Sequence, residues 1–200
     1  MRTGVYGGTF NPVHLGHVKL AEAYRQALGL DRLLVIPDCQ PPHKQAEDLA
    51  PGPQRLEMCR LAFAGDPAAQ VSDLELRRGS RSYTVDTLEQ LHARFPEDTF
   101  YLIMGGDMFL TVTQWQNPQR IFQLAVLCAG SREPGEQERL RSHGAFLRER
   151  YGAESRIIPF SPLPISSTQI RARVRGGQSL EGLVPPQVAR YIQINRLYRD

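Results

Sequence analysis

Apolar and polar positions along this 200-residue chain follow two periods, one typical of buried strands and one typical of amphipathic helices. Short apolar runs of strand length lie at residues 32–36, 99–105 and 125–129, and each ends at proline or glycine. Residues 17–28 and 137–150 instead carry their apolar positions at helical spacing. Strands that alternate with helices in this way indicate parallel strands joined by right-handed helical crossovers.

Weaker signals fill the intervals between these segments. We predict a first strand that ends at Val5 and Tyr6, a loop over residues 38–52, and further helices and strands over residues 53–65 (helix), 71–76 (strand), 84–94 (helix), 117–124 (helix), 156–159 (strand) and 184–198 (helix). The predicted fold class is therefore α/β, with a Rossmann-like, doubly wound, mostly parallel sheet of about five or six strands. Helices are expected on both faces, and a small C-terminal helical segment over about 166–200. One domain should span residues 1–200.

The composition fits an ordinary globular protein, with 41% hydrophobic and 22% charged residues. The formal net charge of +3 is too small to indicate a nucleic-acid partner. Three scattered cysteines, Cys39, Cys59 and Cys128, form no CxxC pair, which favours reduced thiols and a cytoplasmic location. No apolar run has the length of a signal peptide or a membrane span. We expect no membrane partner, and the sequence leaves a homo-oligomer open.

Residues 4–17, GVYGGTFNPVHLGH, contain the highest density of special-purpose residues. Gly7 and Gly8 follow the first strand, where they allow a tight turn and close approach of a ligand. Backbone N–H groups after the turn lie beside a helix that begins near His14, an arrangement that attracts phosphate. The stretch is not a Walker A loop, because no Gly-Lys-Ser/Thr follows.

His14 and His17 lie on one helical face at i and i+3, with Gly16 leaving room between them. Both imidazoles could donate to one phosphate chain. Two structural alternatives stay open, a packing pair and a zinc site. Zinc is the weaker alternative, because no third ligand stands at a customary spacing.

Three hydroxyl residues, Ser166, Ser167 and Thr168, precede a helix with Arg171 one turn in. Hydroxyls at this position are ordinary helix caps. Together with the free N–H groups of a helix start and an arginine, they also make a site for a highly charged phosphate.

Four further positions have both a structural and a functional interpretation. Lys44 lies in a proline-rich loop, where it is either exposed or near phosphate. Asp107, after the glycine turn at Gly105, either caps a helix or serves a ribose hydroxyl or a hydrated Mg²⁺. Thr84 or Ser82 could be a simple N-cap. Trp115, the single tryptophan, is either a partly buried anchor or a stacking surface.

The HLGH and ISSTQIR segments resemble the two signatures of the nucleotidylyltransferase superfamily, and GGTFNPVHLGH is similar to the longer form found in the nicotinate-nucleotide adenylyltransferase family. That family often has Asp where this chain has Asn11, and either side chain can cap a turn. SYTVDTL, the Gly-x-Asp segment at Gly105, and the turn after Arg132 also resemble family segments. The resemblance covers essentially the whole chain.

The resemblance implies adenylyl transfer from ATP to nicotinate mononucleotide, with Mg²⁺ bound through the ATP phosphates and no protein metal ligand. It implies catalytic roles for His14 and His17. ATP would contact Gly8, Thr9, Phe10, Lys44, Gly105, Asp107, Ser166, Ser167, Thr168 and Arg171. The nicotinate nucleotide would contact Tyr83, Thr84, Trp115 and Arg132. Nicotinamide mononucleotide or phosphopantetheine as the acceptor, or a non-catalytic nucleotide sensor, are the alternatives.

Overall fold

The computed structural model describes residues 1–40, 48–131, 134–160 and 163–199. Within these residues six strands form one sheet in the order β3-β2-β1-β4-β5-β6, and every neighbouring pair is parallel. The strands are β1 (Arg2–Gly8), β2 (Arg32–Pro37), β3 (Ala69–Val71), β4 (Thr99–Gly105), β5 (Ala125–Ser131) and β6 (Ser155–Pro159). The predicted α/β fold with a parallel sheet is thereby confirmed.

Helices connect the strands and continue past the last one. They are α1 (Leu15–Leu28), α2 (Gly52–Phe63), α3 (Leu74–Arg78), α4 (Thr84–Arg94), α5 (Gly106–Leu110), α6 (Pro118–Leu124), α7 (Pro134–Tyr151), α8 (Ser167–Arg175) and α9 (Pro186–Ile194), with a 3₁₀ turn at Val112–Gln114. In the described part of the chain, no helix is long and apolar enough to cross a membrane. The extent of a single domain over residues 1–200 stays a prediction.

The strand predicted over residues 71–76 is wrong. The strand ends at Val71, and residues Leu74–Arg78 form α3 instead. Val71 is paired with Val35 of β2, and two residues further along β2 the chain reaches Pro37, which lacks an N–H group for another rung of the ladder. The chain therefore turns away, with the Ser72 hydroxyl accepting from the Leu74 N–H at 3.3 Å. The alternating pattern of residues 71–76 continues beyond the last residue of β2 with which this strand can pair, so the pattern overestimates how far the strand extends.

All strands except β3 contribute alternate side chains to two separate cores, one on each face of the sheet, and β3 contributes only to the first. In β1, Tyr6 belongs to the core under α1, α2, α8 and α9, whereas Val5 belongs to the core under α4, α5, α6 and α7. In β2, Leu33 and Val35 face the first core, and Leu34 faces the second. Burial on both faces explains why these strands read as continuous apolar runs rather than as alternating patterns.

The order of the strands places a change of winding direction between β1 and β4. From β1 the chain winds outward through β2 to β3, and it then returns to pair β4 with the other edge of β1. In open α/β sheets such a reversal leaves a crevice at the carboxyl ends of the two central strands. The first strand does not end at Val5 and Tyr6 as predicted, because Gly7 and Gly8 continue β1 and pair with Ile36 and Pro37 of β2. The end of β1 and the junction between β4 and α5 at Gly105 both lie at this crevice.

A buried arginine in α2 fixes the segments that follow β1 and β2. The side chain of Arg55 is 1% exposed and forms an ion pair with Asp38, with Nη1 to Oδ1 at 3.1 Å. Its guanidinium also donates to the backbone oxygens of Thr9 (2.8 Å), Asp38 (2.7 Å) and Ala50 (2.9 Å). Asp38 in turn accepts from the Thr9 hydroxyl at 2.7 Å. One desolvated cation thus holds three loops in register.

We predict that Arg55→Met lowers the free energy of unfolding by about 3–5 kcal/mol, because it leaves a buried carboxylate and several buried carbonyl oxygens without their donor. Arg60→Met, on the exposed side of the same helix, is the matched control. Arg60 pairs with Glu57 at 3.4 Å in solvent, so this variant should change the free energy by less than about 0.5 kcal/mol. Urea unfolding measures both. Equal losses of unfolding free energy in the two variants would contradict the structural role assigned to Arg55.

Candidate active site

A cleft of about 930 Å³ lies at the carboxyl ends of β1 and β4. Its walls come from segments far apart in sequence: the turn after β1, the start of α1, the start of α4, the turn after β4, and the start of α8. This size suits an organic ligand, since small-molecule sites usually range from about 300 to 1,000 Å³. The cleft is therefore the candidate active site.

The end of β1 and the residues directly after it form the floor of the cleft. A side chain on Gly8 would place its Cβ 3.0 Å from the ring of Phe10, so the ring packs closely against the open face of this glycine. Phe10 itself adopts φ 46° and packs edge-to-face on Tyr6 and on His17. The carbonyl of Gly8 accepts from the Asp38 N–H at 3.0 Å, which joins the floor to the end of β2. These contacts hold the floor of the cleft against the end of β2 and against the ring of His17.

His14 and His17 both line this cleft. His14 is the N-cap residue of α1, and His17 is one turn further along, so that the two rings stack with centroids 3.7 Å apart and an angle of 29° between their planes. The backbone N–H of His14 donates to Nδ1 of His17 at 3.2 Å. When His17 is neutral its proton must therefore be on Nε2. The fold itself selects this tautomer.

Burial keeps both imidazoles neutral in the free protein. Desolvation lowers the pKa of His14 from 6.5 to about 4. Desolvation also lowers the pKa of His17, and the neighbouring His14 lowers it further because two stacked cations would repel. A phosphate in the cleft would act in the opposite direction, since a nearby anion favours the protonated ring.

Gly16 gives His14 the room that it occupies. A Cβ on Gly16 would lie 2.9 Å from Nδ1 and 3.0 Å from Cε1 of the His14 ring, although the backbone of Gly16 has no positive φ. Glycine between the two histidines therefore serves the ring packing rather than a turn.

The start of α8 forms the opposite wall and is tied directly to the histidine segment. The hydroxyl of Ser167 donates to the carbonyl oxygen of Pro12 at 2.9 Å. Ser166 caps the helix by accepting from the Gln169 N–H at 3.2 Å. Ser166, Ser167 and Thr168 all line the cleft, so the N-terminus of this nine-residue helix faces the same space as the imidazoles. Helix N-termini favour anions.

Arg171 lies behind this wall rather than along it. Its side chain is 16% exposed, and Nη1 donates to the carbonyl oxygen of Asn11 at 2.9 Å. Nη2 donates to the Thr168 hydroxyl at 3.4 Å, and Nε lies 3.9 Å from Asp48. In this geometry Arg171 supports the hydroxyl of Thr168, while its predicted contact with ATP stays a prediction.

The start of α4 lies at another end of the cleft, where Tyr83 and Thr84 line the wall together with Trp115. The N-cap residue is Tyr83, without a side-chain hydrogen bond, so the alternative that Ser82 or Thr84 caps this helix is wrong. The hydroxyl of Ser82 instead accepts from the Cys39 N–H at 2.8 Å. Trp115 is partly buried against the second core and presents its remaining surface to the cleft.

A buried carboxylate, Glu75, also reaches this end of the cleft. It accepts from the hydroxyl of Thr87 at 2.6 Å, and Arg78 donates to the same hydroxyl at 3.1 Å. Burial raises the pKa of Glu75, an effect opposed by its hydroxyl partners Ser82 and Thr87. These contacts hold the first two turns of α4 against α3.

The turn after β4 completes the cleft. Gly105 is the N-cap of the short helix α5, and Asp107 lies exposed in its first turn, so the alternative that Asp107 caps this helix is wrong. Both residues line the cleft. A carboxylate here can accept hydrogen bonds from sugar hydroxyls or from water around a cation.

Most of the residues singled out from the sequence thus meet in one place. Those that line the cleft are Gly8, Thr9, Phe10, His14, His17, Tyr83, Thr84, Gly105, Asp107, Trp115, Ser166, Ser167 and Thr168. Lys44 and Arg132 lie outside the described residues. Their predicted roles stay predictions.

Sequence reasoning missed Asp38, Arg55 and Glu75. Asp38 directly follows a buried strand, at the sheet edge where ligands bind, and this position alone was a usable signal. Arg55 stands three and four residues before the buried Met58 and Cys59, so helical spacing places it on the buried face. Glu75 gave no comparable signal, because the strand predicted there has a different period.

Six parallel strands, with two stacked imidazoles and a hydroxyl-rich helix start at one edge of the sheet, define an α/β protein whose cleft has the features of an anion-binding site. The family model described as cytidylyltransferase-like matches residues 5–173. A curated relative from Geobacter metallireducens, named "Probable nicotinate-nucleotide adenylyltransferase", is 40% identical over 212 residues, covering 99% of this chain and 98% of the relative. A relative with the same name from Geotalea daltonii is 37% identical over 215 residues, covering 100% and 99%.

The chain therefore belongs to the cytidylyltransferase-like family and, within it, to the family of nicotinate-nucleotide adenylyltransferases. Solved structures support the fold. The nicotinic acid mononucleotide adenylyltransferase of Plasmodium falciparum complexed with NaAD superimposes with a TM-score of 0.79 at 18% identity, covering 98% of this chain and 97% of that one. The same enzyme complexed with APC gives a TM-score of 0.77 at 16% identity, covering 98% and 96%.

We predict that acidification destabilises the wild-type protein more than His14→Gln. The unfolded chain binds a proton on His14 near pH 6.5, whereas the folded chain binds it only near pH 4. The contribution of His14 to stability is therefore complete above pH 6.5 and is lost as the pH falls toward 4, by up to about 3 kcal/mol.

Urea unfolding at a series of pH values between about 7 and 4 measures this difference. His92→Gln, on the exposed side of α4, is the matched control and should retain the wild-type pH dependence because it retains His14. If the free energy of unfolding fell by the same amount between pH 7 and pH 4 in the wild-type protein and in His14→Gln, the prediction would be contradicted.

Proposed function

We propose that this protein transfers the adenylyl group of ATP to nicotinate mononucleotide, giving deamido-NAD and pyrophosphate, a step of NAD biosynthesis. The observation that carries the proposal is the meeting of the start of α1, with His14 and His17, and the start of α8, with Ser167 and Thr168, on one cleft. Full-length similarity to relatives named nicotinate-nucleotide adenylyltransferase supplies the choice of acceptor.

The reaction places few chemical demands on the protein. A phosphate monoester has a second pKa of about 6, so the acceptor phosphate is largely dianionic at neutral pH and is already a nucleophile. One of its oxygens bonds to the α-phosphorus of ATP, the bond from that phosphorus to the bridging oxygen breaks, and pyrophosphate leaves. No general base or covalent intermediate is required. Alignment and stabilisation of negative charge are what the protein must provide.

The stacked imidazoles suit that task. We assign His14 and His17 to the α- and β-phosphate oxygens, where each neutral ring can donate one N–H. His17 would donate from Nε2, because its Nδ1 is occupied by the His14 backbone N–H. Rings that are desolvated and fixed before the substrate arrives need little reorganisation in the transition state.

The helix start at α8 suits the β- and γ-phosphates. Hydroxyls and unpaired backbone N–H groups at a helix N-terminus bind such anions, and the helix dipole adds to the attraction. We assign Ser166, Ser167 and Thr168 to this end, with Arg171 and Lys44 assisting. Gly8, Thr9 and Phe10 on the floor, and Gly105 and Asp107 on the far wall, would hold the rest of ATP.

The wall at α4 suits the acceptor. Trp115 offers an aromatic face on which a pyridine ring can stack, and the start of α4 offers donors for a carboxylate. We assign Tyr83, Thr84, Trp115 and Arg132 to the nicotinate nucleotide. An anionic carboxylate at a helix N-terminus would be favoured over a neutral amide.

We assign Mg²⁺ to this site as an ion carried on the substrate. In the described ranges no group of three or more His, Cys, Asp or Glu side chains is close enough to form a protein metal site. Of the carboxylates on the cleft, Asp38 is paired with Arg55, whereas Asp107 is exposed and could accept from metal-bound water. When bound to the ATP phosphates, the ion would neutralise part of their charge.

A cytoplasmic location follows as a proposal from the reduced-thiol pattern, since Cys39, Cys59 and Cys128 are all free. Self-association stays an open prediction.

The decisive experiment measures pyrophosphate release with ATP and each of three acceptors in turn: nicotinate mononucleotide, nicotinamide mononucleotide and phosphopantetheine. We expect kcat/KM for nicotinate mononucleotide to exceed that for either of the other acceptors by at least about tenfold, the usual size of discrimination from one well-placed polar contact. A preference for another acceptor, or no release with any of them, would overturn the proposal.

We predict that His17→Ala lowers kcat by about a hundredfold or more, the usual loss when one preorganised donor to a developing charge is removed. His92→Ala, which removes an exposed imidazole outside the cleft, should retain wild-type turnover. The same pyrophosphate assay measures both variants. Near-normal turnover in a folded His17→Ala protein would refute the role assigned to His17.

A further inference from the structure

Asn11, three residues before His14, is a junction of segments that are distant in sequence. Its side chain is buried and does not line the cleft. Nδ2 donates to the carbonyl oxygen of Asp48 at 2.8 Å, and Oδ1 accepts from the Ala50 N–H at 3.0 Å. Oδ1 also accepts from the hydroxyl of Tyr198 at 2.8 Å, a contact that spans 187 residues of sequence. The amide is thus held by both of its ends.

Tyr198 reaches this junction from the C-terminal end of the chain. After α9 ends at Ile194, Leu197 and Tyr198 turn back into the first core, where both are buried. Tyr198 adopts φ 62°, a left-handed conformation that is unfavourable for a non-glycine residue and that requires support from the surrounding contacts. Burial raises the pKa of the phenol, so the hydroxyl keeps its proton and acts as the donor to Asn11.

Other bonds from the C-terminal segment converge on the same short stretch. Arg171 donates to the carbonyl oxygen of Asn11 at 2.9 Å, and Ser167 donates to that of Pro12 at 2.9 Å. The carbonyl oxygen of Leu183 accepts from the Leu15 N–H, also at 2.9 Å. The residues on either side of His14 are therefore positioned from the C-terminal part of the chain rather than by the sheet alone.

We propose that Tyr198 is a positioning residue for the reaction: its hydroxyl, acting through Asn11, fixes the loop that carries His14 and so sets where the two stacked imidazoles stand in the cleft. Tyr198 touches no part of the cleft itself. The proposal rests on the proposed function as far as turnover is concerned. The placement of the imidazoles can be tested without turnover.

Tyr198→Phe removes only the hydroxyl, and Tyr191→Phe is the matched control. Tyr191 lies in α9 of the same terminal segment and is only partly buried, and none of the described bonds joins it to Asn11. We expect Tyr198→Phe to lower kcat about five- to tenfold with KM for ATP within about twofold, because small displacements of catalytic groups reduce rate more than binding. Tyr191→Phe should match the wild-type protein.

Nuclear magnetic resonance tests the placement of the two imidazoles directly, because a general loss of stability would not selectively change the resonances of His14 and His17. The chain contains five histidines, so the imidazole resonances of His14 and His17 can be assigned by substitution. We expect those two sets of resonances to shift in Tyr198→Phe and to stay unchanged in Tyr191→Phe, with the resonances of His92 and His143 unchanged in both. Urea unfolding verifies that each variant is folded.

The double variant Asn11→Leu with Tyr198→Phe tests whether Tyr198 acts through Asn11. In the Asn11→Leu background the further loss of kcat from Tyr198→Phe should be less than about twofold, since coupled residues are not additive. A folded Tyr198→Phe protein with unchanged kcat and unshifted His14 and His17 resonances would overturn the proposal. If the wild-type protein itself released no pyrophosphate, the proposed function would fail, while the resonances would still decide the role of Tyr198.

Discussion

The pairing of β1 with β4 is the constraint on which the site depends. Because the chain winds outward from β1 through β2 and then returns to the other edge of β1, the connections leave these two strands toward opposite faces of the sheet. Neither of these two connections covers the carboxyl ends of the strands in the described part of the chain, and such a crevice is where open α/β sheets bind ligands. The helix α4 reaches this opening because it lies in the connection from β3 to β4. The start of α8 is held there by hydrogen bonds to the histidine segment.

Two of the carboxylates at the site already have partners in the protein, whereas the two imidazoles are neutral and face the cleft. Arg55 and Asp38 neutralise each other below the floor, and Glu75 is engaged by a hydroxyl. The imidazoles that face the ligand are neutral in the free protein. The start of α1 thus presents neutral imidazoles to a triphosphate, and bound substrate can itself raise the pKa of these rings and draw a proton onto them. Product with less charge would then be held less tightly.

The sequence predicted the fold class, the position of most helices and strands, and many of the residues that line the cleft. These features succeed because they follow from local signals, such as apolar runs that end at glycine, hydroxyls before a helix, and histidines spaced at one helical turn. Residues 71–76 failed because the end of a strand depends on where its neighbour stops, which a single segment does not encode. The Arg55 network and the contact from Tyr198 also escaped, since both join segments whose proximity only the tertiary fold determines.

Asn11 shows how one side chain can carry such a tertiary requirement. From the sequence, asparagine and aspartate are interchangeable at a turn, because either can accept from a nearby backbone N–H. In the fold, however, the Asn11 side chain does not cap the turn: one end of it must donate to the Asp48 carbonyl while the other accepts from Ala50 and Tyr198. A carboxylate has no donor for that carbonyl unless it is protonated, and it would be buried beside another acceptor. The amide is therefore matched to this arrangement of the chain, in which the C-terminal segment is part of the active-site framework.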